Sequence, residues 1–146
     1  MSKSNTFENS LVLLLFNNTT IANIGDATGL EGSATAGSLY VALHTADPGE
    51  AGSQVTSEAD YTSYARVAVA RSDAGWTIAS NAVSNAAEIA FTECTGGTNT
   101  VTHFSVGVAA SGASVALYTG ALTASLAVST GVTPAFAIGE LDVTED

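Results

Sequence analysis

The chain has 146 residues, a length typical of one domain that can bury its own core. Fourteen acidic residues against three basic ones give a formal net charge of -11, which repels a phosphate backbone and argues against nucleic-acid binding. Charged residues make up only 12% of the chain, so its surface must be rich in small neutral side chains. Such a surface is typical of a subunit that is partly covered by another protein.

The first predicted element is a helix from about Thr6 to Phe16. Asn5 can cap it, and Glu8 three residues later completes a pair like that of a capping box. One face of this helix is apolar and needs a partner, either the sheet of the same domain or a neighbouring subunit; it carries Phe7, Leu11, Leu14 and Leu15. The longest apolar run of the chain is far below the roughly 20 residues that span a bilayer, and the N-terminal region makes a poor signal peptide. We therefore expect a chain made in a cytoplasm without membrane contact.

Residues 17–37 are rich in Asn, Thr, Gly and Ala, and four glycines interrupt any periodicity. This composition predicts an extended arm that reaches a neighbouring subunit or, alternatively, a long loop. Helix and arm together form a predicted assembly segment, residues 1–37, followed by a β-domain, residues 38–146. The predicted contact residues of the assembly segment are apolar: Phe7, Leu11, Leu14, Leu15, Ile21 and Ile24.

After Gly37 the pattern is β-rich, with short runs separated by turn residues at intervals of roughly 8 to 14 residues. The predicted strands cover residues 39–45, 64–71, 76–79, 88–91, 98–108, 115–118, 122–128 and 135–143. No segment after Gly37 is predicted to be a helix. The sequence therefore predicts an all-β fold, an antiparallel β-sandwich of jelly-roll type, with one N-terminal helix and an arm.

Candidate catalytic residues are few, and each has a structural explanation. His44 stands three residues before Asp47, a spacing that could orient an imidazole as a base, but no serine lies in a nucleophile motif. A turn at Asp47, whose side chain accepts local backbone hydrogen bonds, explains the pair without catalysis. His103 lies inside a predicted strand and is interpreted as a cross-strand hydrogen-bond partner. We therefore predict no catalytic residue and no enzymatic activity.

The sequence does not indicate a metal site either. The two histidines and the single cysteine lack the spacing of a zinc site. The acidic loop after the first strand could supply calcium ligands but lacks the repeat of an EF-hand, so we interpret it as solvated; its carboxylates are Asp47, Glu50, Glu58 and Asp60. Cys94 has no disulfide partner in the chain and is expected in the core. We predict no metal and no cofactor.

Arg66 and Arg71 are two of the three cations and lie five residues apart on one predicted strand, so their side chains point to opposite faces. Each is predicted to pair with a carboxylate, and a bidentate pair would let Arg66 fasten the acidic loop to its strand. An ion pair between subunits is the alternative. The larger aromatic residues fill the core or, alternatively, form a platform for a sugar; they are Tyr40, Tyr61, Tyr64 and Trp76.

Four segments of the chain resemble small structural proteins of tailed bacteriophages. They are LYVALHTADPGEAG from Leu39, YTSYARVAVARS from Tyr61 with the following Gly75-Trp76, TVTHFSVGVAASG from Thr100, and LYTGALTASLAVSTGVTPAF from Leu117. Such proteins are labelled head decoration, cement, tail-fibre or minor tail proteins. The resemblance covers about residues 38–143 and implies a virion structural protein with a β-sandwich that binds other virion proteins.

Two virion roles follow from this resemblance. We favour a capsid decoration (cement) protein that binds the major capsid protein and stabilises the head shell as a homo-oligomer, with a trimer favoured, because the chain is one small domain without a fibrous repeat. The alternative is a tail-fibre, minor tail or baseplate protein that contributes to host attachment by glycan binding. The expected location is the virion, with the capsid surface favoured over the tail.

Overall fold

A computed structural model of the chain describes residues 2–145. Within that range one α-helix precedes nine β-strands. The elements are α1 (Asn5–Asn17), β1 (Ser38–His44), β2 (Val67–Ala70), β3 (Trp76–Ala79), β4 (Ala82–Asn85), β5 (Ile89–Ala90), β6 (Thr98–Gly107), β7 (Ala116–Ser129), β8 (Ala135–Phe136) and β9 (Asp142–Thr144). The predicted all-β, sandwich-like fold with one N-terminal helix is confirmed.

The strands form a four-stranded sheet in the order β2-β1-β6-β7, a three-stranded sheet in the order β3-β4-β9, and a two-stranded sheet of β5 and β8. The pairs β1–β6, β6–β7, β3–β4 and β4–β9 are antiparallel. In the longest pairing, β7 runs beside β6 from Ala116, opposite Gly107, to Ser129, opposite Thr98. The register shifts where Val101 faces Leu126 but His103 faces Ala121, which leaves residues 122–125 as a bulge.

Strand β7 is one continuous element where the sequence predicts two. The expected break falls near Gly120, which instead lies in the strand opposite Phe104. A Cβ at Gly120 would stand 2.7 Å from Cε1 of the Phe104 ring, so this glycine makes room for the aromatic side chain rather than for a turn. Gly120 therefore indicates close packing against Phe104 rather than a turn. As a result, β7 continues through the predicted break, and the hairpin of β6 and β7 is longer than predicted.

The chain divides into two compact units, which we call the helix unit and the hairpin unit. The helix unit contains the described residues up to Ser38, Val69–Glu88, and those from Phe136 onward, and so includes α1, β3, β4 and β9. The hairpin unit contains Leu39–Ala68 and Ile89–Ala135, with most of β1 and all of β6 and β7. The division of the chain after Gly37 into an assembly segment and a β-domain stays a prediction.

Helix α1 is capped by Ser4 rather than by the predicted Asn5. Ser4 has extended backbone angles and its hydroxyl accepts from the Phe7 N–H, whereas Asn5 is already helical. The helix ends at Asn18, which adopts a left-handed conformation at φ 56°. The face that the helix buries carries Glu8, Val12 and Phe16. This stripe differs from the predicted one because the run from Leu11 to Phe16 is apolar on more than one side.

Two side chains fix the helix in its unit. The Phe16 ring meets the fully buried Trp76 edge-on, with centroids 4.9 Å apart. Arg71 reaches the C-terminal end of α1 and donates from Nε to the Leu15 carbonyl at 2.7 Å and from Nη2 to the Leu14 carbonyl at 2.6 Å. A guanidinium there satisfies carbonyls that the helix leaves unpaired and complements the negative end of its dipole.

Residues 18–37 form the alternative long loop rather than an extended arm. Ile21 and Leu30 pair as an antiparallel bridge, with both backbone hydrogen bonds at 2.9 Å. The Asn18 side chain closes the loop by donating to the Ser33 carbonyl at 2.8 Å and accepting from the Ser33 N–H at 2.7 Å. A Cβ at Gly29 would overlap the Ile21 carbonyl, so only glycine allows the two sides to approach.

Candidate functional site

A buried ion pair organises the polar interior of the hairpin unit. Arg66 donates from Nε to Glu58 Oε1 at 2.7 Å and from Nη2 to Glu58 Oε2 at 2.8 Å, a bidentate geometry. The Tyr64 hydroxyl donates to the same carboxylate at 3.1 Å. Hydrogen bonding to Glu58 raises the pKa of Arg66, and burial raises the pKa of Tyr64. Arg66 therefore stays cationic and Tyr64 stays a neutral donor throughout the physiological range.

The rest of the guanidinium holds the connection between β6 and β7, residues 108–115, which we call the tip loop. Arg66 donates to the carbonyls of Ala109 at 2.9 Å and Gly112 at 3.0 Å, and to the Ser114 hydroxyl at 3.1 Å. One side chain thus ties a loop that follows it by more than 40 residues to Glu58, which precedes it by eight. The tip loop contains no charged residue and is largely exposed. A shallow depression of about 250 Å³ lies between it and the ion pair.

Gln54 extends this network inward. Its side chain is fully buried, donates to the Tyr40 carbonyl at 2.9 Å and accepts from the Ser114 hydroxyl at 2.9 Å. A Cβ at Gly107 would overlap the Gln54 side chain, so this glycine opens the space that the amide fills. Sequence reasoning missed Gln54, because a glutamine in an acidic loop carries no signal of burial.

His44 is a further fully buried polar residue of this region. Its Nδ1 lies 2.8 Å from the Thr56 carbonyl and its Nε2 lies 2.8 Å from the Ser105 hydroxyl. Because a carbonyl only accepts, Nδ1 carries the proton and Nε2 accepts from Ser105. Burial lowers the pKa of His44, which keeps the ring neutral. His44 and Ser105 form a histidine–serine pair, but both are fully buried and no substrate can reach them.

The other sequence candidates lie apart. Asp47 accepts from the Gly49 N–H at 2.9 Å and so forms the predicted turn. Asp60 accepts from the Asn99 side chain at 2.9 Å, whereas Glu58 binds Arg66. Among residues 2–145, no group of three or more His, Cys, Asp or Glu side chains is placed to hold a metal ion. The same range contains no helix that is long and apolar enough to cross a membrane.

The aromatic residues serve the interior. Trp76 is fully buried, and Tyr61 is 3% exposed. Tyr61 meets Tyr64 edge-on with centroids 5.3 Å apart, and Tyr64 stacks on Phe91 at 6.2 Å. These rings therefore do not present an open face on which a sugar could stack.

The predicted assembly residues differ in how far they are accessible. Phe7 is 36% exposed and Ile24 is 37% exposed. Ile21 is buried in its bridge with Leu30, so it cannot contribute to an outer contact. The other three, Leu11, Leu14 and Leu15, are half-buried on α1. The accessible members thus lie along the outer part of α1 and at the turn of the following loop.

One long stretch of the chain contains no charged residue. All seventeen charged residues lie outside residues 94–139, which include β6, the tip loop and β7. Of the fourteen residues of β7, Val128 is buried and the others are exposed or half-buried. Three exposed valines lie near the start of β7: Val115 directly precedes the strand, Val108 directly follows β6, and Val55 is two residues from Ser53, which bridges Val115.

Over residues 2–144 the chain matches the family described as podophage GP4 fiber I protein gp80. The chain belongs to this family. Membership of the gp80 family confirms the resemblance to structural proteins of tailed phages, so the chain is a phage virion structural protein. The gp80 match also includes α1 and the loop after it, which the four resembling segments did not cover. No curated protein matches the chain.

Proposed function

We propose that the chain is a structural subunit of a phage tail fibre, with no enzymatic activity. The observation that carries this proposal is the family match, which spans residues 2–144 and names a fiber protein. The match favours the tail-fibre alternative over the capsid decoration role, which small size and the lack of a fibrous repeat had favoured. Small size does not argue against a fibre, because a fibre can be assembled from many small subunits.

The chemistry of the interior supports a structural role. Arg66 pairs with Glu58, whereas Gln54 and His44 bond nearby hydroxyl and backbone groups. Each of the four side chains is largely removed from solvent. Satisfied buried networks rigidify a fold, whereas a catalytic site needs an accessible group whose partner is the substrate. The network therefore favours a subunit whose task is to hold its shape.

The partners in this proposal are other tail or baseplate proteins, and copies of the chain itself, with a trimer favoured. The proposed contact with another virion protein is the outer face of α1 together with the turn of the following loop, with Phe7, Leu14 and Ile24 as accessible apolar residues. Such side chains lose little by being covered, since burying apolar surface gains roughly 25 cal/mol per Å².

Electron microscopy of virions with a gold-labelled chain tests this function. Label confined to the tail is the expected result, and a labelled major capsid protein serves as the control for head staining. Label spread over the head would contradict the fibre role and favour capsid decoration. Virions made with Phe7→Asp should lose the label, whereas Thr6→Asp, which adds the same charge to the same helical turn, should retain it.

A further inference from the structure

We propose that a polar cleft beside the first turn of α1 receives an arginine side chain of another virion protein. The cleft, which we call the N-terminal cleft, lies within the helix unit and has a volume of about 550 Å³. Its lining comes from the start of α1 and from the turn between β3 and β4: Asn5, Thr6, Glu8, Asn9, Ser80 and Asn81. That the arginine belongs to a virion protein rests on the proposed fibre role, whereas the chemistry of the cleft does not.

The Glu8 carboxylate is the observation that carries this proposal. Glu8 is only 9% exposed, and among the described residues its side chain has no hydrogen-bond or ion-pair partner. The helix dipole favours an acidic residue in a first turn but does not explain its burial, since Glu8 lies on the buried stripe with Val12 and Phe16. Buried charges in proteins are normally paired. A buried, unpaired carboxylate that lines a cleft therefore indicates that a cation binds there.

The acceptors of the N-terminal cleft match those that Arg66 uses within this chain. Arg66 binds the Glu58 carboxylate, two backbone carbonyls and the Ser114 hydroxyl. The cleft offers the Glu8 carboxylate, the amides of three asparagines, and the hydroxyls of one threonine and one serine. A guanidinium carries five N–H donors in a planar fork and can bond several such acceptors at once, whereas an ammonium acts as a point charge. The cleft therefore suits arginine better than lysine.

One of these acceptors is held in place before any partner binds. The Asn81 side chain donates to the Glu145 carbonyl at 2.8 Å, and the Asn81 carbonyl accepts from the Glu145 N–H at 3.0 Å. These two bonds leave the amide oxygen of the Asn81 side chain as an acceptor. An acceptor that is already ordered loses less conformational entropy when a partner binds.

Charge identifies the partner as a different protein. The chain has two arginines, and both are used internally: Arg66 binds Glu58, and Arg71 binds carbonyls of α1. A second copy would also bring a net charge of -11 and be repelled. The same charge attracts a basic segment of another protein. The occupant is therefore an arginine on a basic segment of a different virion protein.

An NMR titration of the isotope-labelled chain with acetyl-arginine amide tests the proposal. The amide signals of residues 5–9 and 80–81 should shift. Acetyl-citrulline amide, which has nearly the same shape without the charge, should not shift them, and acetyl-lysine amide should bind more weakly. Glu8→Gln should weaken the binding of acetyl-arginine amide about tenfold, the usual size of one charge-assisted hydrogen bond.

The matched control is Glu31→Gln, which makes the same chemical change at an exposed position in the loop after α1. It alters the net charge equally and should leave the affinity unchanged. Asn9→Ala provides a second variant that keeps the charge of the cleft. Alanine favours a helix, so this variant should fold, and it should bind acetyl-arginine amide more weakly because one amide is lost.

Signal shifts confined to other residues, equal shifts with acetyl-citrulline amide or acetyl-lysine amide, or undiminished binding by Glu8→Gln would overturn the proposal. If Glu8→Gln does not fold, Asn9→Ala decides, and undiminished binding by that variant has the same consequence. Shifts of the cleft amides with glucose but not with acetyl-arginine amide would identify a saccharide site instead. These measurements use the isolated chain, so they can fail while the gold label marks the tail, and succeed while it marks the head.

Discussion

The buried polar residues of the hairpin unit are sensitive positions, because each has its hydrogen-bond partners within the protein. Gln54 and His44 are fully buried and bonded at both ends of their side chains. Leaving a buried donor or acceptor unpaired costs about 1–3 kcal/mol, more than the bond contributes when it is intact. Substitutions at these residues should therefore act through stability rather than through a lost activity.

The neutral state of His44 makes stability depend on pH. Burial lowers its pKa below the usual 6.5, so between that value and the lower pKa of the folded protein only the unfolded chain binds the proton. The free energy of unfolding should stay constant above pH 6.5 and fall below it, by about 1.4 kcal/mol per pH unit for one group. Urea unfolding at pH 7.5, 6.5 and 5.5 measures this slope.

Two histidine variants separate this effect from other titrations. His44→Gln should remove the slope between pH 6.5 and 5.5, even if it lowers stability at every pH. His103→Gln is the matched control, because it removes the other histidine and leaves both partners of His44, the Thr56 carbonyl and the Ser105 hydroxyl, in place. Hydrogen bonds from Thr28 lower the pKa of Asp26, which therefore titrates well below this window. Equal slopes in the wild type and His44→Gln would contradict the assignment.

At the scale of elements, Arg66 is the side chain that anchors the tip loop. Arg66→Lys keeps the charge but cannot span Glu58, two carbonyls and a hydroxyl, so the loop should lose its anchor. We expect a loss of about 2–3 kcal/mol in unfolding free energy and faster hydrogen exchange at residues 109–114.

Arg71→Lys is the matched control for this variant. It makes the same chemical change at a guanidinium that bonds α1 carbonyls instead of the tip loop. Exchange should then rise at the C-terminal turn of α1 and stay unchanged in the tip loop. A tip loop that remains equally protected in Arg66→Lys would show that its order comes from the hairpin alone.

The elements also show where sequence reasoning succeeds and where it stops. The helix and the β-rich remainder were predictable, because they follow from local periodicity and turn residues. The face that α1 buries was not, since it is chosen by Trp76, about sixty residues away. An ionic partner for Arg66 was expected in the acidic loop, but the choice of Glu58 among four carboxylates depends on the register with which residues 57–59 follow β1. The carbonyl partners of Arg71 were likewise set by long-range packing.

At the scale of the whole molecule, charge and neutrality are segregated along the chain. The fourteen acidic residues fall within residues 8–93 and 140–146, whereas the hairpin of β6 and β7 contains no charged residue. This pattern was visible in the sequence but could not separate head decoration from a tail fibre, because both roles use neutral contacts between subunits. The family match favours the fibre role, and the position of the protein in the virion tests it.

Salt should make the folded chain more stable, because it screens the repulsion between the acidic side chains. Three cations cannot neutralise fourteen carboxylates, and the Lys3–Glu145 pair is partly exposed, so losing it costs little. The Debye length falls from about 10 Å at 0.1 M to about 3 Å at 1 M, so screening should act mainly at low salt. We expect the melting temperature to rise with NaCl and to level off below about 0.5 M. A linear rise beyond that point would indicate exclusion of ions from the surface instead, and a fall would show that ion pairs outweigh repulsion. Sedimentation at each salt concentration checks that the oligomeric state of the chain does not change.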